Sequence, residues 1–238
     1  ARGQCAAGLA LTLQAIQLAD QIGSPVLIAP TRGPLGMAYL IRGEYDLCLR
    51  ALQAGFAPAR QLGARVFAYL MHVIQAWALA RAGQPQQAVE PIQAAYDIQA
   101  QLANQLVARD WLSVVECECA FARGDWAACI EDAQQTLQVA REHGALLGPG
   151  VAHRKWAEAL LARGDGASEE IAAHLDESER ILRAGNAAVE RVRTERVRVR
   201  WLQRQGQQQA AETLHIAVCE QFERFGLPHE VPTRLRPS

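Results

Sequence analysis

The chain has 238 residues, of which 50% are apolar and 21% charged, and this balance predicts a folded protein with a sizeable core. Its net charge of −1 argues against a dedicated nucleic-acid binder, and the aromatic content of only 6% favours closely packed helices over a β-sandwich. No apolar run reaches the roughly 18 residues that a membrane-spanning helix needs, and no signal peptide is visible. We therefore expect a cytoplasmic protein without a membrane partner.

A short pattern recurs along the whole chain: a glycine, a polar residue, and a small residue five positions after the glycine. The stretch RGEYDLC at 42–48 is nearly repeated as RGDWAAC at 123–129. The leading glycines stand 40 to 42 residues apart, at Gly3, Gly43, Gly83, Gly124, Gly164 and Gly206. A second set of turn signals falls about midway, at Gly23, Gly63, Ala103, Gly144, Gly185 and Gly226. A period of about 41 residues with a turn at its middle predicts a repeated pair of helices.

The first predicted helix follows Gly3, which opens the second half of a repeat. We therefore expect the first repeat to lack its first helix and the chain to be part of a longer protein. The next helix, before Gly43, contains Pro25, Pro30 and Pro34, and we expect it to be kinked or to start late because proline breaks the helical hydrogen-bond ladder.

The later segments show helical apolar spacing between their breakers, most clearly in residues 84–102. Pro85 suits the first turn of that helix, and Asp125 and Asp165 suit the N-cap position of the helices that follow their glycines. Glycine at each boundary accepts a left-handed conformation that ends a helix. Because one helix pair cannot bury its apolar face alone, we expect stacked pairs with a continuous core over residues 1–226. Residues 227–238 hold three prolines and are predicted to be an extended tail.

This pattern resembles the tetratricopeptide repeat. The resemblance depends on a small residue late in the first helix, the Gly-acidic-aromatic turn and the small residue five after the glycine, and it covers essentially the whole chain. It implies an all-α, right-handed α-solenoid of about five to six antiparallel helix pairs. The period of about 41 is longer than the usual value of about 34, and the early Trp and Leu positions of the family hold other residues, such as His72 and Gln75.

The longer period is similar to the repeat region of maltose-regulator-like signal-transduction ATPases and related bacterial regulators. In that family the repeats act as a sensor or scaffold and follow a nucleotide-binding module. The chain itself has no phosphate-loop motif. The resemblance thus implies a domain that binds a partner without catalysis.

In tetratricopeptide-like superhelices, the first helix of each pair lines the concave face. When the repeats are aligned on their leading glycines, the groove positions of the family fall six, ten and thirteen residues before each glycine. These positions predict three stripes of residues along the concave face. They are Met37, Trp77, Glu118, Glu158 and Arg200; then Val73, Val114, Arg154 and Arg196; then Leu70, Trp111, Val151 and Arg193. Met37 and the aromatic and charged members of these stripes are the candidate partner-binding residues. The alternative for Trp77 and Trp111 is that they pack under a neighbouring helix.

The helix around residues 190–204 is rich in arginine, and Arg193, Arg196, Arg200 and Arg204 share one side of it. Three interpretations are open: a solvated face with salt bridges, a docking site for a carboxylate, phosphate or acidic segment, and, least favoured, a nucleic-acid contact. The expected partners are accordingly a protein or peptide, another domain of the same full-length chain, or a small anionic ligand.

No motif for catalysis or metal binding is visible. The six cysteines form no Cys-x-x-Cys pair, and we expect buried free thiols. The six histidines are scattered, and His72 and His153 are expected to be structural. We therefore predict no enzyme activity, no cofactor and no metal. The alternative function is self-association, with a groove that is open or filled by the chain's own tail.

Overall fold

The computed structural model of the chain describes residues 5–102, 109–143, 147–164 and 166–231. In these ranges every regular element is helical, and there is no strand. The helices are α1 (Cys5–Ile22), α2 (Pro25–Ile41), α3 (Tyr45–Gln61), α4 (Arg65–Arg81), α5 (Val89–Gln101), α6 (Arg109–Ala122), α7 (Trp126–His143), α8 (Gly148–Arg163), α9 (Ser168–Ala184), α10 (Ala188–Arg204) and α11 (Gln208–Arg224), followed by a short 3-10 helix at Pro228–Glu230.

The helices form two compact units, with α1 to α6 in the first and α7 to α11 in the second. In the first unit, α1 to α4 each pack against the next helix, and α4 also packs against α2 and α6. The second unit repeats this arrangement, since α7 to α11 pack in succession and α10 also contacts α8. The predicted all-α architecture of consecutively packed helices is therefore confirmed.

Glycines end most of the helices, as the sequence predicts. Eight of them adopt the left-handed backbone conformation with φ between 62° and 88°, at Gly23, Gly43, Gly63, Gly83, Gly124, Gly164, Gly206 and Gly226. The prediction is wrong at Gly185, whose φ is −79°, because Asn186 takes the left-handed position with φ 54°. Asparagine tolerates this conformation better than other residues with a side chain. The turn signals at Gly3, Ala103 and Gly144 lie outside the described residues.

The structure agrees with some of the helix starts that the sequence predicts and differs at others. The backbone N–H of Ala128 donates to Asp125 Oδ1 at 3.1 Å, which confirms the N-cap, whereas Asp165 lies outside the described residues. Pro85 lies in a turn before α5, which begins only at Val89. Of the two alternatives expected for α2, the late start is absent, because the helix begins at Pro25.

Close packing accounts for the persistence of α2 through its two internal prolines. A Cβ atom added to Gly36 would lie 2.5 Å from Leu52 Cδ2, so α2 and α3 approach each other closely. Leu35 and Leu40 are buried on the same helix. Burial of this apolar surface offsets the backbone hydrogen bonds that proline removes.

Each unit has its own apolar core. In the first unit the largest fully buried side chains include Tyr69, Leu52 and Met71. In the second, Leu160, Ile171, Leu175 and Val197 form one cluster. The prediction of buried free thiols is confirmed for four cysteines, whose exposed fractions are 0–1%: Cys48, Cys117, Cys119 and Cys129. Cys5 and Cys219 are half-buried.

The chain after α11 folds back onto the second unit. Leu227 is completely buried, and Pro228–Glu230 form the short 3-10 helix. Val231 is extended, and the rest of the predicted tail, residues 232–238, lies outside the described residues. None of the helices within the described ranges combines the length and the apolar character needed to cross a bilayer.

Candidate binding site

The two predicted tryptophans meet in the first unit. Trp77 of α4 and Trp111 of α6 contact edge to face, with ring centres 6.4 Å apart. The Trp77 indole N–H points to Glu118 Oε1 at 3.4 Å, and Arg81 donates to the same oxygen at 3.0 Å. The guanidinium carbon of Arg81 also lies 5.0 Å from the centre of the Trp77 ring. The cluster ties α4 to α6 through one buried carboxylate.

This cluster favours the packing alternative for the tryptophans. Trp77 is only 5% exposed and Glu118 only 7%, so neither presents much surface to a partner. Trp111 and Met37 are half-buried. Arg81 is absent from the predicted stripes, although it lies four residues after Trp77 and therefore on the same side of the helix.

Glu158 of α8 is the centre of a second buried charge cluster. Its carboxylate lies 2.8 Å from Lys155 Nζ and 2.6 Å from Arg200 Nη2 of α10. Burial by itself would raise the pKa of Glu158, but Lys155, Arg200 and Arg154 together lower it to about 2. Glu158 is therefore ionised at neutral pH and neutralised by the unit's own cations. Arg200 remains about half exposed beside it.

Arg154, a predicted groove residue, is part of the interior. It is 2% exposed, and its guanidinium contacts Glu190 Oε2 at 2.6 Å and donates to the Glu190 carbonyl oxygen at 3.0 Å. A buried charge of this kind is tolerated because it is paired and hydrogen-bonded. Arg154 therefore connects α8 to α10 and does not face a partner.

Arg193 and Arg196, which we call the arginine cradle, hold the carboxylate of Glu230. Arg193 Nε donates to Glu230 Oε1 at 2.8 Å, and its Nη2 contacts the same oxygen. Arg196 Nη1 donates to Glu230 Oε2 at 2.6 Å and to the Glu230 carbonyl oxygen at 3.2 Å. The Arg196 guanidinium also lies 5.5 Å from the centre of the Phe222 ring. The cradle thus grips both oxygens of one carboxylate.

The cradle is only partly covered. The Arg193 side chain is only 4% exposed, but that of Arg196 is 32% exposed, and the Glu230 side chain is 11% exposed. The carboxylate comes from the short segment after α11, and within residues 225–231 of that segment Leu227 is the one fully buried side chain. Guanidinium groups arranged in this way bind carboxylates and phosphates with high geometric specificity. Arg200, which follows Arg193 and Arg196 on the same side of α10, is paired with Glu158 instead.

The sequence also fails to indicate a contact between two histidines. His153 Nδ1 of α8 lies 2.8 Å from His174 Nδ1 of α9, and the Trp156 ring stacks on His174. Burial, followed by the charge of His174, lowers the pKa of His153 to about 4. Within the described residues, no three His, Cys, Asp or Glu side chains are grouped so that they could hold a metal ion.

No protein-family model matches the chain, and no curated protein matches it at a significant level. The residues and geometry of the chain itself therefore carry its functional interpretation.

Proposed function

We propose that the chain is a tetratricopeptide-like binding domain that recognises a partner without catalysing a reaction. In this proposal the helices form a right-handed solenoid with a period of about 41 residues, and the domain is the sensor or scaffold of a larger bacterial signalling or transcription regulator. The confirmed succession of packed helices supports the architecture. A repeat domain of this kind offers a surface built from first helices, on which an extended or acidic partner binds.

The observation that carries the proposal is the set of hydrogen bonds from the arginine cradle to the Glu230 carboxylate. Arg193 and Arg196 hold both oxygens of this carboxylate. A site that binds the chain's own acidic side chain so completely has the chemistry to bind the carboxylate of another molecule. We therefore propose that the partner contributes an acidic peptide segment or a small anion, which competes with Glu230 for the cradle.

The test measures competition at the cradle. A fluorescent tetraglutamate peptide is titrated into the wild-type chain and into Glu230→Gln, and its dissociation constant is measured by fluorescence anisotropy. Removing the internal carboxylate should tighten binding by about tenfold, because one charge-assisted pair of about 1.5 kcal/mol no longer competes. Arg196→Gln should weaken it, and raised salt should weaken it in all variants.

Glu212→Gln serves as the matched control. Glu212 is an exposed carboxylate of α11, so its loss changes the net charge as Glu230→Gln does but leaves the cradle intact. If both variants raised the affinity equally, the effect would come from net charge and the cradle assignment would be lost.

Self-association is the second candidate function, and the exposed apolar residues of the first unit favour it. Large apolar side chains are 60–67% exposed at Leu11, Leu18, Ile22 and Val26. They lie along α1 and at the start of α2, where a second copy could bury them. Light scattering across a concentration series decides the point, since a monomer at every concentration excludes this function.

A further inference from the structure

The segment after α11 makes one helical turn with two anchoring side chains. The N–H of Leu227 donates to the carbonyl oxygen of Phe222 at 2.9 Å, and the Leu227 side chain is completely buried. Three residues later Glu230 closes the turn, because its N–H donates to the Leu227 carbonyl oxygen at 3.0 Å. Its carboxylate lies in the arginine cradle, where the Arg196 guanidinium is 5.5 Å from the centre of the Phe222 ring. Phe222 thus adjoins both anchors, one through its carbonyl group and one through its ring.

The start of α10 has the same turn. The N–H of Ala187 donates to the Leu182 carbonyl oxygen at 2.9 Å, and Ala187 is only 3% exposed. Glu190 follows three residues later, as Glu230 follows Leu227. In both places a buried apolar residue comes directly after a residue with left-handed backbone and precedes a glutamate at the same spacing.

The arginines that bind the two glutamates also correspond. Arg154 of α8 and Arg196 of α10 each lie ten residues before the left-handed glycine that follows their helix. Arg154 Nη1 lies 2.6 Å from Glu190 Oε2 and donates to the Glu190 carbonyl oxygen at 3.0 Å. Arg196 Nη1 contacts the same two atoms of Glu230, at 2.6 and 3.2 Å. The second unit therefore binds the same turn twice, each time through one carboxylate oxygen and one backbone oxygen.

The two turns differ in how firmly the chain holds them. The turn at Glu190 begins a helix of 17 residues that packs against α8, α9 and α11. The turn at Glu230 is not continued as a helix, because Val231 is extended. Pro228 and His229, which lie between its anchors, are exposed. Local opening of this single turn therefore costs much less free energy than opening of α10.

We propose that the second unit recognises this turn in a partner, which is a peptide with an apolar residue three positions before a glutamate. The apolar side chain takes the site of Leu227 and the glutamate enters the arginine cradle, so that the partner displaces the chain's own turn. Arg196 binds the glutamate through both its carboxylate and its carbonyl oxygen. The proposal rests on the anion binding proposed for the cradle, and it narrows the partner from any acidic segment or small anion to this turn.

The probe is the peptide GLPHEV, which copies residues 226–231. Its two analogues are GAPHEV, which lacks the apolar anchor, and GLPHQV, which lacks the charge. The host is the ¹⁵N-labelled full chain with Leu227→Ala/Glu230→Gln, whose own turn has lost both anchors, and binding is followed by amide chemical shifts. We expect GLPHEV to bind with a dissociation constant on the order of 1 mM, as its small size dictates. Each analogue should bind about tenfold more weakly, because each lacks one anchor.

The single variant Glu230→Gln is the matched host, since its Leu227 still fills the apolar site. In this host GLPHEV and GAPHEV should bind equally well, and GLPHQV should bind more weakly than both. Far-UV circular dichroism and the melting temperature show that each host is folded. Leu227→Val/Glu230→Gln, a milder change, replaces the double variant if that variant loses helical signal.

The outcomes separate the two proposals for the cradle. If GAPHEV or tetraglutamate bound the double variant as tightly as GLPHEV, the apolar anchor would be refuted, while the function proposed for the cradle would stand. If GLPHQV bound as tightly as GLPHEV, or if no peptide shifted amides of α10 or α11, both proposals would be overturned.

Discussion

The indole of Trp156 lies nearly parallel to the imidazole of His174, with ring centres 4.2 Å apart and planes 27° apart. His174 also meets His153, with a distance of 2.8 Å between the two Nδ1 atoms. One of these nitrogens must carry a proton and the other must not, because a hydrogen bond between them needs one donor and one acceptor. The contact between α8 and α9 thus requires that at least the accepting imidazole is neutral.

We expect acid to destabilise the chain through this histidine pair. The pKa of His153 is lowered to about 4, chiefly by burial and then by His174, while Arg141 and Arg180 lower it further and Glu177 raises it. The pKa of His174 is also lowered by burial, with Glu170 acting against it. Since an unfolded histidine has a pKa of about 6.5, the unfolded chain binds more protons below this pH.

The contribution of the pair to stability is therefore fully present above about pH 6.5 and is lost as the pH falls towards 4. We expect a loss of about 1 kcal/mol, which allows for solvent screening at these half-buried rings. Urea unfolding at pH 7, 6, 5 and 4.5 measures it. The double variant His153→Gln/His174→Gln should show a smaller pH dependence over this range, and an unchanged slope would contradict the assignment.

Much of the fold was predictable because its signals are local. Gly43, Gly83 and Gly124 end helices in the left-handed conformation wherever the sequence places them, and Asp125 caps the next helix with its own side chain. These effects depend on residues within one turn of each other. Periodic glycines and helical apolar spacing therefore fix the helices before any long-range contact is known.

The candidate site was less predictable because its contacts join distant residues. Arg81 and Glu118 are 37 residues apart in sequence, and Arg193 and Glu230 are also 37 apart. The residues of the stripes lie on α2, α4, α6, α8 and α10, but their sequence positions do not reveal whether a neighbouring helix covers them. Arg154 is buried for this reason, while Arg200 stays about half exposed.

Gly150 should not tolerate a side chain. A Cβ atom there would lie 2.6 Å from Leu182 Cγ, and Leu182 is itself completely buried. We expect Gly150→Ala to lower the free energy of unfolding by about 1–3 kcal/mol through overpacking. Gly8→Ala is the control, because nothing lies within 4 Å of its added Cβ atom inside α1. That variant should be more stable by about 0.5–1 kcal/mol, as alanine favours helices. Chemical denaturation of both variants distinguishes crowding from a general effect of alanine.

Removing the charge of Glu158 should destabilise the second unit. Glu158→Gln removes the carboxylate that lies 2.8 Å from Lys155 Nζ, and we expect a loss of about 3 kcal/mol. Because the pKa of Glu158 is lowered to about 2, its contribution is present above about pH 4.5 and disappears as the pH falls towards 2. Thermal unfolding at pH 7 and pH 3 measures the change. Glu131→Gln, which alters an exposed carboxylate of α7, should have little effect, and equal losses in the two variants would argue against a special role of the buried pair.

Asn186 should resist replacement by alanine but accept glycine. Its backbone is left-handed with φ 54°, a conformation that costs alanine about 1 kcal/mol and glycine nothing. We expect Asn186→Ala to lower the free energy of unfolding by this amount and Asn186→Gly to leave it nearly unchanged. Urea midpoints of the two variants check the order. If alanine were tolerated as well as glycine, the turn between α9 and α10 would not require this conformation.

The buried cysteines allow local opening of the helices to be measured. Cys48 and Cys117 belong to the first unit and Cys129 to the second, and none of the three is measurably exposed. Burial raises the pKa of the Cys48 thiol to about 12, so it reacts with iodoacetamide only after the surrounding helices separate. Alkylation timed at each thiol by mass spectrometry, at a reagent concentration that makes the reaction slower than reclosing, would therefore report the opening equilibrium of each unit without any engineered label.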